Sequence, residues 1–375
     1  MIILLNEEMK SFEDLASSFA SKELSPHREE GDRFPFGPFN NDILAKAHGV
    51  GFLCITLSED LGGIGQGISA LCVILECLCR MDASLGSIIF TSTLSQEIII
   101  RAGREDVLRN ITSSAGGPKD LLIAFPAYSN PSEHSSLPLA TKGKNGPMLS
   151  GAVNYLVLAG IASRALIPAR ISGQDGYSFF LVDLSDAKVK ISDPIFSLGL
   201  HACPAADVKL NNAEATLIGN EGEGKTYFED ASNMMNAAAA AMSLGIMRGA
   251  FEDALAYCNE REQGGWPIVN WSEMKMILAD MAIKMNIANM AVSEACHAIE
   301  KKTYGWNVCA KAAALHVQES ACHVTTDGIQ ALGGYGYMKD YGQEKRFRDA
   351  QQMKTLLGSS PMRKIEFIDQ LNVEG

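Results

Sequence analysis

The residues best suited to chemistry are concentrated between Asp327 and Lys364, DGIQALGGYGYMKDYGQEKRFRDAQQMKTLLGSSPMRK. Gly333, Gly334 and Gly336 follow Gln330 among aromatic and aliphatic residues. The backbone there can adopt positive φ and let another body come close, so a bound cofactor or a neighbouring subunit is the natural occupant. Gln330 offers such a body both a donor and an acceptor. Elsewhere the signals are thinner. His27, His48, His134, His201, His297, His316 and His323 show no metal-ligand spacing, and the last two lie seven apart on one helix face, where packing suffices. Cys77-Leu78-Cys79 contains the one close cysteine pair and lacks the partners of a zinc site. No nucleophile elbow, P-loop or dinucleotide fingerprint is present.

These residues must be positioned by a chain of 375 residues, 47% hydrophobic and 20% charged. That is enough to bury a large core and to divide into two or three subdomains. A formal net charge of -12 without a basic stripe argues against nucleic acid as a partner. Met1-Ile2-Ile3-Leu4-Leu5 is apolar, but Asn6-Glu7-Glu8 cuts it short of a signal peptide. No apolar run has the length of a membrane span. The nine cysteines fall mostly in helix-like segments, so buried reduced thiols in a cytoplasmic protein are expected.

Periodicity divides the chain in three, giving an α+β, mostly α fold. Met9, Phe12, Leu15, Ala16 and Phe19 recur at helical spacing from Asn6 to about Lys22. Further helices are expected at Asp42 to Gly49, Ile68 to Met81 and Thr93 to Arg104, the last two separated by a connection opening with Asp82-Ala83-Ser84-Leu85-Gly86. Residues 1–118 read as an α-helical domain. Short β-rich runs such as Ser178 to Val182 and Asp207 to Leu210 alternate with turn residues over 119–225, the pattern of an antiparallel barrel or sandwich. Residues 226–375 revert to long helices; Ala237 to Ala241 form helix well and let neighbouring backbones approach. A four-helix-like bundle is expected there.

Gln330, Gly333-Gly334-Tyr335-Gly336, Arg348-Asp349-Ala350 and Leu356-Leu357-Gly358-Ser359 resemble the C-terminal signature of the acyl-CoA dehydrogenase family, which runs Gln-x-x-Gly-Gly-x-Gly, Arg-Asp-Ala, Tyr-Glu-Gly-Thr. Ser58-Glu59-Asp60-Leu61-Gly62-Gly63-Ile64-Gly65 resembles the family's Pro-Glu-Glu-Tyr-Gly-Gly-Leu-Gly. The resemblance runs almost end to end. It implies a helical N-terminal domain, a middle β domain, a C-terminal bundle, and FAD-dependent oxidation of an acyl-CoA thioester, with electrons leaving through an electron-transfer flavoprotein.

The same resemblance locates losses. In the family the Glu of the last turn is usually the base that removes the α-proton; here Leu357 stands there and cannot accept one. The upstream site used by other members falls at Met235, next to Asn236, and again supplies no carboxylate. Each family FAD lies between two subunits. Arg261, Gln330, Gly333, Gly334 and Ser359 match residues that reach the cofactor, with Arg261 suited to gripping a pyrophosphate through paired hydrogen bonds. The family Phe three residues after that Arg is Gly264. In the chain's own cradle two flavin-facing threonines have become Ala124 and Val157, and Tyr155 takes the place of a ring-shielding indole.

This pattern implies a homo- or hetero-oligomer with another acyl-CoA dehydrogenase-like chain, whose FAD site this one would complete. The alternatives are non-oxidative acyl-CoA chemistry, with the Leu357 amide polarising a thioester carbonyl for β-elimination, and a non-catalytic structural homologue. Glu97 is the one nearby candidate for a replacement base; an ordinary first-turn carboxylate favoured by the helix dipole is its simpler reading.

Overall fold

The computed structural model describes residues 7–144 and 146–373; the apolar start at Met1 to Leu5 lies outside the described residues. Helix α1 (Glu7–Phe19) runs on through a π turn at Ala20–Leu24 to the short α2 (Arg28–Asp32). Helix α3 (Asn41–Gly49) starts where the Asn40 carboxamide oxygen accepts the amides of Asp42 and Ile43, each at 3.2 Å, an N-cap satisfying two orphan donors. Then come α4 (Ile68–Met81), α5 (Ala83–Arg101), α6 (Glu105–Ser114) and α7 (Pro118–Leu121).

Helix α5 departs from the sequence expectation. It starts at Ala83, capped by Asp82, whose carboxylate accepts the Ser84 amide at 2.7 Å, so the expected connection at Asp82 to Gly86 is its first turn. Every residue from Ala83 to Ile99 is buried, and a helix covered on all faces carries no amphipathic stripe to announce its start. It is long and apolar enough to cross a membrane, yet 94% of that window is buried inside the molecule.

The middle segment contains β1 (Ile123–Ala124), β2 (Leu139–Lys142), β3 (Pro147–Val157), β4 (Arg164–Ile171), β5 (Ser178–Asp183), β6 (Val189–Ile191) and β7 (Ala205–Ile218). Strands β4, β2, β3, β7 and β5 pair in that order and β5 returns to β4, closing a barrel flanked by β1 and β6. The pairing is not wholly antiparallel: β1 and β2 both run parallel to β4. Closure leaves no free edge among those five strands.

The remainder is α8 (Gly224–Glu260), α9 (Ser272–Lys301), α10 (Trp306–Leu332), α11 (Gln343–Met353) and α12 (Ser360–Val373). Ala237 to Ala241 are fully buried in α8. One turn on, a Cβ at Gly245 would fall 2.3 Å from the Glu76 carbonyl oxygen, so small residues let α8 touch the α4 backbone. Arg248 then pairs with the buried Glu76 and donates to the Asn289 carboxamide at 2.9 Å, tying α4, α8 and α9 together. All nine cysteines are free thiols.

Helix α11 is held by buried charges. Lys345 sits 3.0 Å from Asp82 and 2.7 Å from Asp349, and Asp349 accepts the Leu200 amide at 2.7 Å. Arg348 bridges Asp32 and Glu344, and Asp32 also pairs with His201 at 2.9 Å. Burial opposes charge on His201, but hydrogen bonds to the Asp32 carboxylate and to the Asp32 and Ser197 carbonyls outweigh it and raise the imidazole pKa.

Two outcomes are expected. Lys345→Met leaves two carboxylates buried without their cation and lowers stability by about 3–5 kcal/mol in urea unfolding. Because the folded-state pKa of His201 is raised, its contribution is complete below about pH 6.5 and is lost as pH climbs through the folded value; the urea midpoint therefore falls on that alkaline side, and His201→Gln lacks this limb.

Candidate functional site

Helix α8 ends at Arg261, where the backbone turns extended and the Arg261 amide caps the Tyr257 carbonyl. The hairpin Glu262–Gln263 with Trp266–Pro267 comes next. The end of α8, the start of α9 and the end of α10 enclose an open hollow of about 590 Å³ that holds Arg261, Gln330, Gly333 and Gly334 together. Arg261 is exposed, lies 5.8 Å from the Tyr335 ring centre, and has no carboxylate partner among the described residues. The glycines have separate reasons. Gly333 ends α10 at φ +58, a left-handed conformation suited to glycine. A Cβ on Gly336 would fall 2.2 Å from the Ile329 carbonyl oxygen, whereas Gly334 has only an ordinary contact at 3.6 Å. The family ring missing at Gly264 has a counterpart that sequence reasoning did not find: a Cβ on Gly264 would lie 3.1 Å from the Trp271 ring, which lines the same hollow.

Leu357 lies between α11 and α12 at φ +67, its side chain buried. Its amide donates to the Ala127 carbonyl at 2.9 Å. The donor that the β-elimination reading needed is therefore already taken within the chain. Ser359 does not join the Arg261 hollow; its amide meets the Glu133 carboxylate at 3.0 and 3.1 Å, a carboxylate supplied to the N-terminal end of α12.

Tyr155 sits at a bulge in β3, at φ +53. Its hydroxyl accepts a hydrogen bond from the Gln352 carboxamide, and its ring stands edge-on to Tyr128 at 6.0 Å. Both tyrosines line a hollow of about 390 Å³ beside His134 and Thr355. Ala124 and Val157 are fully buried, and Val157 exchanges two 3.1 Å backbone hydrogen bonds with Phe125. For a flavin ring the two altered positions offer no side-chain hydroxyl, and the Tyr155–Gln352 hydrogen bond lies in the lining of the hollow beside Tyr128. The outer hollow offers groups that can bond a phosphate or a base, an exposed guanidinium, a carboxamide and open glycine backbone, with the Glu273 carboxylate also in its lining.

Glu97 lies near the C-terminal end of α5, not in a first turn. It is buried and paired with Arg101 at 3.3 Å; burial raises its pKa against the pull of that guanidinium. It does not line the cavity that contains Leu357, whose lining instead includes Asn236, Lys311 and Arg363. Met235 is fully buried beside Asn236, and Asn236 accepts a hydrogen bond from Arg363 at 2.8 Å. Arg363, Lys311 and Glu133 were not marked by sequence reasoning; a charged residue interrupting the small and apolar stretch at Ser359 to Met362 was the available signal. No cluster of metal-ligating side chains occurs among the described residues.

Residues 6–112 match the family model for the acyl-CoA dehydrogenase N-terminal domain, and residues 222–369 match the one for its C-terminal domain. The chain belongs to the acyl-CoA dehydrogenase family. It is 28% identical over 376 residues to an acyl-CoA dehydrogenase of Bacillus subtilis, covering 96% of this chain and 97% of that one. It is similar to a chain in the solved structure described as the electron transferring flavoprotein of Acidaminococcus fermentans, with TM-score 0.90, 25% identity and 99% of each chain covered. Butyryl-CoA dehydrogenase from Megasphaera elsdenii shares the fold, with TM-score 0.89, 22% identity, and 99% and 100% covered.

In this acyl-CoA dehydrogenase-family chain the glycine turn separates structural from open positions. Gly336→Ala is expected to destabilise by about 2–4 kcal/mol, because backbone must shift. Gly334→Ala stays within about 0.5 kcal/mol. Paired thermal melts check the difference.

Proposed function

We propose that the chain is a subunit of an FAD-dependent assembly that introduces an α,β double bond into an acyl-CoA thioester, and that it completes a neighbouring chain's FAD site while lacking a base of its own. The carrying observation is the contrast between two places. Arg261, exposed and without an anionic partner among the described residues, shares one open hollow with Gln330, Gly333 and Gly334, while the Leu357 turn is closed onto Ala127. On this reading the FAD rests in the neighbour's cradle and meets Arg261 across the subunit boundary. The neighbour is an acyl-CoA dehydrogenase-like chain that retains its carboxylate, electrons pass to an electron-transfer flavoprotein, and the assembly works in the cytoplasm. Ser359 and Tyr155, by their positions, support this chain's own turn and barrel instead.

The test is FAD counting. The chain purified alone retains little FAD, and co-expression with a base-bearing family chain gives a yellow complex with half as many FAD molecules as chains. Arg261→Ala, a surface change, leaves the melting temperature in place and weakens FAD retention by about tenfold, the loss of a charge-assisted contact. Stoichiometric FAD and acyl-CoA oxidation by the chain alone would overturn the proposal. A colourless product with every such partner would favour the non-catalytic homologue.

A further inference from the structure

The cavity containing Leu357 is about 250 Å³, walled by α8, α10, α12 and the loop after β1. By liquid volume that is room for roughly eight waters, or for a short organic acid. Six charged side chains border it, three cationic and three anionic, and they do not all pair. Lys225 pairs with Glu229 at 3.7 Å and Lys311 with Glu366 at 3.1 Å, while Asp369 is exposed at the rim.

Arg363 is left over. It is only 2% exposed, and its guanidinium donates to the Gln318 carboxamide at 2.7 Å, the Leu356 carbonyl at 3.0 Å and the Asn236 carboxamide at 2.8 Å. All three acceptors are neutral, and no carboxylate among the described residues pairs with it. Burial lowers its pKa to about 10 against the pull of Glu366 and Glu133. A buried guanidinium without a counter-ion is costly, and here three acceptors fix its position at the edge of a cavity. Among the described residues, two further polar atoms of the lining are buried with no partner, the Ser232 hydroxyl on α8 and the Gln370 carboxamide oxygen on α12. Phe228 and Leu357 supply an apolar side suited to a few methylenes.

We propose that this cavity binds the carboxylate of a small organic acid, with Arg363 as counter-ion and the Ser232 hydroxyl as an added donor. The carboxylate belongs either to a free acid or to the far end of an acyl thioester. No FAD on this chain is required, so the idea stands or falls separately from the role assigned to Arg261.

Calorimetry on the full-length chain, purified alone, tests it with succinate, its neutral diamide, succinyl-CoA and butyryl-CoA. The expected result is saturable binding of at least one of the two carboxylate probes, at least tenfold tighter than its uncharged counterpart, reduced at least tenfold by Arg363→Gln and partly restored by Arg363→Lys. Binding of succinate identifies a free acid; binding of succinyl-CoA without succinate identifies the thioester. Equal affinity for charged and uncharged probes, binding of neither carboxylate, or unchanged binding in a folded Arg363→Gln would overturn the proposal. Should that variant fail to fold, the comparison of charged with uncharged probes on the unmodified chain decides alone.

Discussion

The Asp349 carboxylate is the junction on which the arrangement depends. One oxygen takes the Lys345 ammonium, which also holds Asp82 at the start of α5, and the other takes the Leu200 amide from the segment leading into β7. Arg348 beside it grips Asp32 at the end of α2, and Gln352 accepts the Gly199 amide at 2.9 Å. Helix α11 is thereby locked to the N-terminal helices and to the barrel at once. Buried charges tolerate little displacement, because each must keep its partner in a medium that solvates it poorly. The Leu357 turn, which leaves the C-terminal end of α11, is therefore set down in one place.

That precision serves two unlike regions. Inward, the turn is closed onto the Ala127 carbonyl and the barrel presents hydrocarbon and a bridged tyrosine. Outward, the meeting point of α8, α9 and α10 leaves a guanidinium, a carboxamide and bare glycine backbone open.

Much of the framework was legible from the chain. The glycines after Gln330 and the arginine after Glu260 are far apart in sequence, yet shared register with one family motif united them, and the hollow at the end of α8 contains all of Arg261, Gln330, Gly333 and Gly334. Helix α5 was misplaced because full burial erases the alternation that marks a boundary. The parallel neighbours of β4 were hidden for a related reason: strand direction is decided by pairing between distant segments, and β1 is two residues long. Arg363 belongs to no motif in the sequence; only folding brings it to Asn236, 127 positions earlier. Glu133 reaches Ser359 across 226 positions, and no periodicity encodes that meeting.

Leu357 is held in the left-handed region, where a Cβ crowds the backbone and a non-glycine residue loses of order 1 kcal/mol. Its side chain makes no polar contact that would compensate, and the turn is secured instead through its main chain, by the Ala127 carbonyl, the Arg363 guanidinium and the Glu133 carboxylate. Shape and side-chain identity are thus uncoupled at this point. Evolution can exchange the residue there many times over, carboxylate included, without having to rebuild the bend that carries it.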